Sequence, residues 1–303
     1  MRLMSVYKSA RLGLFGVAVL WGCSYIMSAY LLNFFSPTFL SFARMGLTWL
    51  IVIALLYSKG VLRRPTKKEW LLMVASSVFG TLIQQPLYFK GLQLSSAANA
   101  SLIYAVAPLV AVFMERIFLK TPWTAGKLAG GILGMIGVVI IISFGGGKFS
   151  LSSGDVYLLI AMLGMTISMM YTPIIAKTLS LTSINIISGG LSIALMAPVA
   201  GLDVFSGNLI VSSSVTIWLI LLVLALITAT SNIWWTRGVA ITGPGTAAMF
   251  MNIPPFISLV AGHYLLGDAI HGAQLIGGVL ILFGVFVSNR NFSGDSVQVS
   301  HTR

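Results

Sequence analysis

The chain has 303 residues, of which 57% are apolar and 8% charged, and its mean hydropathy is +0.98. A soluble domain carries about 25% charged residues, so six acids cannot solvate this chain in water, and lipid must cover most of it. The net charge of +12 does not mark a nucleic-acid binder. Its basic residues sit in short loops between apolar stretches, where they act as topology signals facing anionic lipid. Cys23 is the sole cysteine, which excludes an intrachain disulfide and a thiolate metal cluster.

A membrane-crossing helix needs about 20 mostly apolar residues. Ten such segments are predicted, near 11–32, 37–58, 69–90, 96–118, 124–144, 155–177, 182–202, 215–236, 244–266 and 271–289. The first follows Arg2, Lys8 and Arg11 and passes through Leu20-Trp21-Gly22-Cys23, loosely like a lipoprotein signal. Trp21 fits such a signal poorly and the apolar run continues past Cys23, so it reads as an uncleaved first span. Ser36-Pro37 opens the second span, which holds Arg44 several residues inside. A cation there costs about 2.5–3.5 kcal/mol even on the mild insertion scale, so Arg44 needs a partner. Glu115 is a poor choice because it lies toward the inner end of the fourth span. Backbone carbonyls at a helix end or a substrate carboxylate both remain open.

Further along, Pro108 in the fourth span and Pro255 in the ninth each remove a backbone donor near midspan. Tyr104 precedes the first break and Asn252 the second. Gly126, Gly130 and Gly134 in the fifth span, with Gly277, Gly278 and Gly284 in the tenth, allow close helix approach. They serve packing of those two spans or a homodimer. The loops break at Lys59–Lys68, Thr121-Pro122, Gly145–Gly147, Asp203–Ser214 and Gly243-Pro244-Gly245, and the tail 290–303 is polar and expected to be disordered.

With the N-terminus placed in the cytoplasm, almost all Lys and Arg fall inside, leaving Lys90 and Lys148 outside with Asp155, Asp203 and Asp268. That bias orients the protein with both termini cytoplasmic in the cell (inner) membrane. Residues 91–138 also align without a gap on residues 238–285. Gly91 falls on Gly238, Pro108 on Pro255, Gly130-Gly131 on Gly277-Gly278, and Gly137-Val138 on Gly284-Val285. Lys120 falls on Gly267, Thr121 on Asp268 and Lys127 on Gln274, so loop charge reverses while apolar sequence persists. Five spans per half is odd, so the halves insert in opposite senses. The predicted fold is an all-α integral membrane protein of ten transmembrane helices in two inverted five-helix repeats, 1–146 and 147–289. Such chains have transporter architecture with the ligand site between the halves.

The motifs agree with this. They are Trp21–Tyr25, Ser36-Pro37, Phe42-Ala43-Arg44-Met45, Tyr88–Gln93 running into Ser96–Leu102, and Ala107-Pro108-Leu109 leading to Glu115–Leu119, echoed from Pro254-Pro255 to Gly267-Asp268. In this order they resemble the drug/metabolite transporter superfamily, specifically its EamA-like members, over residues 11–289. The first half departs by having Lys120-Thr121 where the second has Asp268. The resemblance implies export of amino acids or related metabolites, and a structural role for Arg44.

The same offset pairs Thr81 with Thr228, Gln85 with Asn232, Tyr88 with Trp235 and Lys90 with Arg237. Amides inside lipid normally face protein or a water-filled path. Gln84, Gln85, Tyr88, Asn232 and Trp235 are therefore candidates to line a cavity, with Asn99, Tyr104 and Asn252; interhelical hydrogen bonding is the competing reading. Tyr25, Tyr171, Trp234 and Trp235 would wall a site for a ring-bearing substrate, unless they belong to the interfacial belt. Lys90 and Arg237 either snorkel to headgroups or guard entrances. Arg44, Pro108 and Pro255 are structural or gating candidates.

No Walker loop, HExxH, CxxC or dinucleotide fingerprint occurs, so no cofactor, metal or catalytic residue is expected. No acid lies near mid-membrane, which disfavours organic cations and carboxylate-based proton coupling. The expected function is downhill export of a small metabolite, an amino acid foremost and an aromatic one among the options. The alternatives are a proton-coupled exporter, a membrane enzyme built on His263, His271 and Asp268, and a scaffold or receptor without flux. The expected partners are a small-molecule substrate, the lipid bilayer and a second copy, with no nucleic acid.

Overall fold

A computed structural model describes residues 2–56, 63–95, 100, 103–144, 152–205, 207, 209–266 and 271–290. The described residues form helices and connections only, with no strand. In chain order the helices are α1 (Arg2–Leu31), α2 (Pro37–Leu56), α3 (Lys67–Ser77), a π turn (Val78–Ile83) and α4 (Gln84–Leu94). Then follow α5 (Ala107–Leu119), α6 (Ala125–Phe144), α7 (Ser153–Ile175), α8 (Leu181–Phe205) and α9 (Val215–Thr242). The last are α10 (Pro244–Met249), a 3₁₀ turn (Phe250–Asn252), α11 (Ile253–Leu266) and α12 (Gly272–Arg290). Six stretches among the described residues are long and apolar enough to cross a membrane: Pro37–Leu56, Lys67–Gly91, Ala125–Phe144, Ser153–Ile175, Leu181–Gly201 and Val215–Thr242.

Local chemistry sets the helix ends. α3 starts in a capping box in which the Thr66 side chain accepts from the Glu69 N–H and Glu69 accepts from the Thr66 N–H. At the start of α7 the Ser152 N–H donates to Asp155 (2.8 Å), and the Ser95 hydroxyl also donates to Asp155. α5 ends at Lys120 in the left-handed region (φ 57°), and α9 ends at Gly243 (φ 84°), where glycine carries no Cβ penalty. α1 begins nine residues before the predicted first span and α9 continues six residues past the predicted eighth. Hydropathy marks what lies in lipid, whereas a helix runs on until its backbone is capped.

Packing follows one pattern. The most extensive contact is α6 on α12; α1 packs on α9 and α11, and α4 and α5 pack on α7. α2 packs on α8 and α9, and α3 on α8. Lipid tails are as apolar as leucine, so close approach rather than hydrophobic drive joins such helices. The glycines of α6 and α12 supply it. A Cβ added at Gly137 would sit 2.5 Å from the Gly277 carbonyl oxygen, and one at Gly284 would sit 2.6 Å from that of Gly130. Gly91 meets the side chain of buried Leu158, and Gly238 meets that of buried Leu14. Gly130, Gly137, Gly277 and Gly284 lie between α6 and α12. Because they face each other inside one chain, they leave no glycine face for a second copy.

Gly137→Val is expected to lower stability by about 1–3 kcal/mol through overpacking, or to abolish recovery of folded protein. Gly46 has nothing within 4 Å of its Cβ position, so Gly46→Ala should stay within about 0.5 kcal/mol of the parent. Thermal unfolding of the purified protein in detergent compares the two.

Candidate functional site

The third membrane segment does not run as one α-helix. Gly164 and Ser168 of α7 press on it: a Cβ at Gly164 would lie 2.9 Å from the Phe79 carbonyl oxygen, and one at Gly80 would lie 2.8 Å from Ser168 Cβ. Here the chain widens into the π turn Val78–Ile83, and such turns concentrate at functional sites. The equivalent stretch of the second half, within α9, stays α-helical. Thr81 accordingly bonds across to Ser192 of α8 (2.9 Å), whereas its counterpart Thr228 only donates to Leu224 one turn back (2.8 Å).

Just beyond the π turn, Gln84 is 8% exposed, and its Nε2 donates to the Tyr104 hydroxyl (3.2 Å). The Tyr88 ring meets the Tyr104 ring edge-on at 5.5 Å. Arg44, half-buried midway along α2, lies near enough to Tyr88 to act on it electrostatically. Residues from three separate membrane segments therefore converge as Arg44, Gln84, Tyr88 and Tyr104. They sit beside a broken helix: the Val106 N–H donates to the Ile103 carbonyl (3.2 Å) in a three-residue turn, and α5 begins with Pro108 in its first turn. The matching break is the 3₁₀ turn Phe250–Asn252, after which α11 begins with Pro254-Pro255. Ile103 falls on Phe250 by the repeat offset, so both predicted proline breaks lie at equivalent places.

The other candidates separate from this cluster. Trp235 meets Trp21 of α1 at a tilt of 44° (ring centroids 5.0 Å apart) and packs on the central apolar core, whose members include Ala105, Phe250 and Ile253. Trp21 entered the sequence reading only as a motif residue. Nothing in sequence ties α1 to α9 at that depth. Trp234 is 42% exposed and covers Gly16 on an outward groove of about 500 Å³, so it belongs to the lipid side. A second outward groove, about 400 Å³, holds Phe15, Phe250 and Phe286 near Lys8 and Arg11. Neither groove includes Gln84, Tyr88, Tyr104 or Trp235. Tyr171 packs with Met73, Ile175 and Ile184 instead of joining an aromatic wall, because its turn of α7 faces α3 and α8. Asn252 is buried with its amide against Gly134. Gln85 and Asn232 are half-buried on α4 and α9. Lys90 and Arg237 are exposed, as snorkelling requires. Asn99 lies outside the described residues, and Tyr25 lies on α1 with its side chain outside them.

One expectation is corrected. Lys127 reads in sequence as a loop charge facing lipid headgroups. In the structure it is buried and donates to Glu115 at 2.9 Å, with both side chains 4% exposed. Glu115 is thus no partner for Arg44, as anticipated, but it is not a surface group either. Among the described residues no cluster of His, Cys, Asp or Glu has the arrangement of a metal site. His263 is exposed and packs edge-on against exposed Tyr264, consistent with an interfacial position.

Apolar helices long enough to cross a membrane, with polar side chains gathered among them at a helix break, define a multi-pass membrane protein. The chain belongs to the EamA-like transporter family, whose profile matches residues 8–143 and again 152–290, and so to the drug/metabolite transporter superfamily. It is similar to the uncharacterized transporter YyaM of Bacillus subtilis, at 24% identity over 91% of this chain and 92% of that one. It is also similar to the S-adenosylmethionine/S-adenosylhomocysteine transporter of Chlamydia muridarum, at 31% identity over 43% of this chain and 41% of that one. A probable terminal-alkyne amino-acid exporter of Streptantibioticus cattleyicolor shares 25% over 82% and 83%. A crystal structure superposes with a TM-score of 0.76 at 19% identity, covering 93% of this chain and 96% of that one, and it shares the fold.

Tyr104→Phe should leave the buried Gln84 amide without its acceptor and cost about 0.5–1 kcal/mol. Adding Gln84→Leu should recover part of that loss, since replacing both partners leaves no orphaned donor. A double-mutant cycle on thermal unfolding measures it.

Proposed function

We propose that this transporter is a secondary carrier that exports small metabolites bearing an amino-acid group, downhill, by alternating access of two inverted five-helix halves, 1–146 and 147–289. The carrying observation is the exchange pattern of its contacts. α1 on α9 has its counterpart in α7 on α4, α1 on α11 in α7 on α5, and α2 on α9 in α8 on α3. α6 on α12 and α2 on α8 each map onto themselves. The glycine contacts obey the same exchange, Gly91–Leu158 answering Gly238–Leu14. This is the relation an inverted repeat requires, and two halves so joined can rock about their shared seam. The repeated family match supports it, and on this reading the broken third and ninth segments each count as one of ten spans. The charge bias supports the cell (inner) membrane with both termini, including the tail 290–303, in the cytoplasm. A homodimer would use the outer faces of α6 and α12 rather than their glycines.

The substrate reading rests on the polar cluster. Arg44 presents a planar fork of donors suited to a carboxylate, and Tyr88, Tyr104 and Gln84 offer hydroxyls and an amide beside it. Trp21 of the first half and Trp235 of the second pair as a further aromatic surface. The compounds named for the chlamydial transporter and the alkyne exporter both carry an amino-acid group, which agrees with an arginine-centred site. Asn99, Tyr25, Asn232 and Asn252 are further lining candidates, with Pro108 and Pro255 as the hinges of the broken helices.

Reconstituted in liposomes, the protein should equilibrate a labelled amino acid or S-adenosyl compound with saturable kinetics and without accumulation. Arg44→Gln should raise KM by about tenfold or more, consistent with losing a charge-assisted contact, with a smaller change in Arg44→Lys. Lack of flux for any compound of the panel would overturn the reading. Accumulation only under an imposed pH gradient would replace it with proton coupling, with Glu115 as the buried carboxylate to test first.

A further inference from the structure

Where α5 ends and α6 begins, the first half carries a buried ion pair, and the turn from α9 into α10 brings the second half against it. Lys127 Nζ lies 2.9 Å from Glu115 Oε2, and both side chains are 4% exposed. The other face of that carboxylate abuts the Gly243-Pro244-Gly245 junction. A Cβ added at Gly243 would collide with Glu115 Oε1, and one at Gly245 with Glu115 Oε2. Gly243 also needs glycine for its φ of 84°, but Gly245 has no positive φ. Its missing side chain therefore serves the contact with Glu115 and with Val112, whose Cγ2 would be 3.1 Å from a Cβ there.

We propose that Glu115 and Lys127, seated on Gly243 and Gly245, are the gate that closes this end of the transport path and must open once per cycle. The proposal rests on the alternating-access reading above. Three features separate a gate from a permanent staple. A buried ion pair is a poor way to hold two elements together, because apolar residues of the same volume are usually as stabilising or more so. It is a good way to hold them reversibly, since charges released into water recover their solvation, whereas a separated apolar plug does not. The pair is not repeated at the equivalent positions of the second half: the repeat offset places Gly262 where Glu115 stands and Gln274 where Lys127 stands. Gln274 is buried and bonds the Ile141 carbonyl (3.2 Å), a neutral contact in place of a charged one. The two equivalent positions thus carry different chemistry, a charged pair in one half and a neutral contact in the other.

The test reads accessibility and needs no substrate. In a Cys23→Ser background, removing the exposed native thiol, Thr246→Cys places a reporter directly behind Gly245. Thr246 is fully buried and its hydroxyl has no hydrogen-bond partner, so the thiol costs no contact. A membrane-impermeant maleimide applied to the cytoplasmic face of inside-out vesicles should label the parent slowly. Glu115→Gln and Lys127→Met should each raise the labelling rate by about tenfold or more, because each leaves a buried group without its partner. Gly245→Ala, which keeps both charges and displaces the carboxylate, should do the same and decides the matter if the charge variants fail to fold. Rates within about twofold of the parent in folded variants would overturn the gate. A labelling response in a protein that moves no compound of the panel would remove the carrier reading and the gate with it, leaving the ion pair as a plug over Thr246. Retained flux with flat labelling would remove the gate alone.

Discussion

Backbone-to-backbone contact between α6 and α12 is the constraint on which the other packing depends. In lipid there is no gain from hiding one apolar helix against another, so the seam must come from atoms that approach more closely than side chains permit. Gly130 and Gly137 on one helix and Gly277 and Gly284 on the other bring carbonyl oxygens to within about van der Waals contact of the facing Cα positions. Because the four positions are related by the repeat, the contact satisfies both halves at once. Around that seam the larger interfaces fall into exchange-related pairs, and Gly91 on Leu158 is answered by Gly238 on Leu14.

The polar site follows from a second constraint, that backbone groups inside a membrane must be satisfied by protein. Two proline breaks and a π turn interrupt otherwise regular ladders, and each interruption is held by neighbours: the π turn by Gly164 and Ser168, the ninth-segment break by Asn252 over Gly134. Arg44, Gln84, Tyr88 and Tyr104 gather where the first half's ladders are interrupted. The second half keeps an unbroken α9 at the equivalent depth and contributes aromatic surface instead. Stretches of similar sequence thus carry different chemistry at equivalent positions.

Buried charge shows where composition stops being informative. Counted along the chain, Lys127 is one more positive residue of a basic loop, and Glu115 a carboxylate near a helix end. Their burial depends on Gly243 and Gly245, more than a hundred residues later, which leave room for the carboxylate against α5. Tyr171 and Trp234 are parallel cases. Both are aromatic residues of apolar helices, and only the direction in which a turn of helix faces sends one into an apolar cluster and the other to the lipid side.

Helical membrane character, the proline breaks, the charge bias and the glycine stripes are properties of local composition or of a fixed spacing, so the sequence by itself determined them. The repeat was legible too, because duplicated interfaces need the same small residues at the same intervals. What the tertiary structure decided are the facts that depend on helix rotation and on partners distant in the chain. These are the π turn that aims Gln84 at Tyr104, the Trp21–Trp235 contact, the inward pairing of Glu115 with Lys127, and the enclosure of the glycine stripes within one chain. Hydropathy averages over all faces of a helix, and a site is made by one face alone.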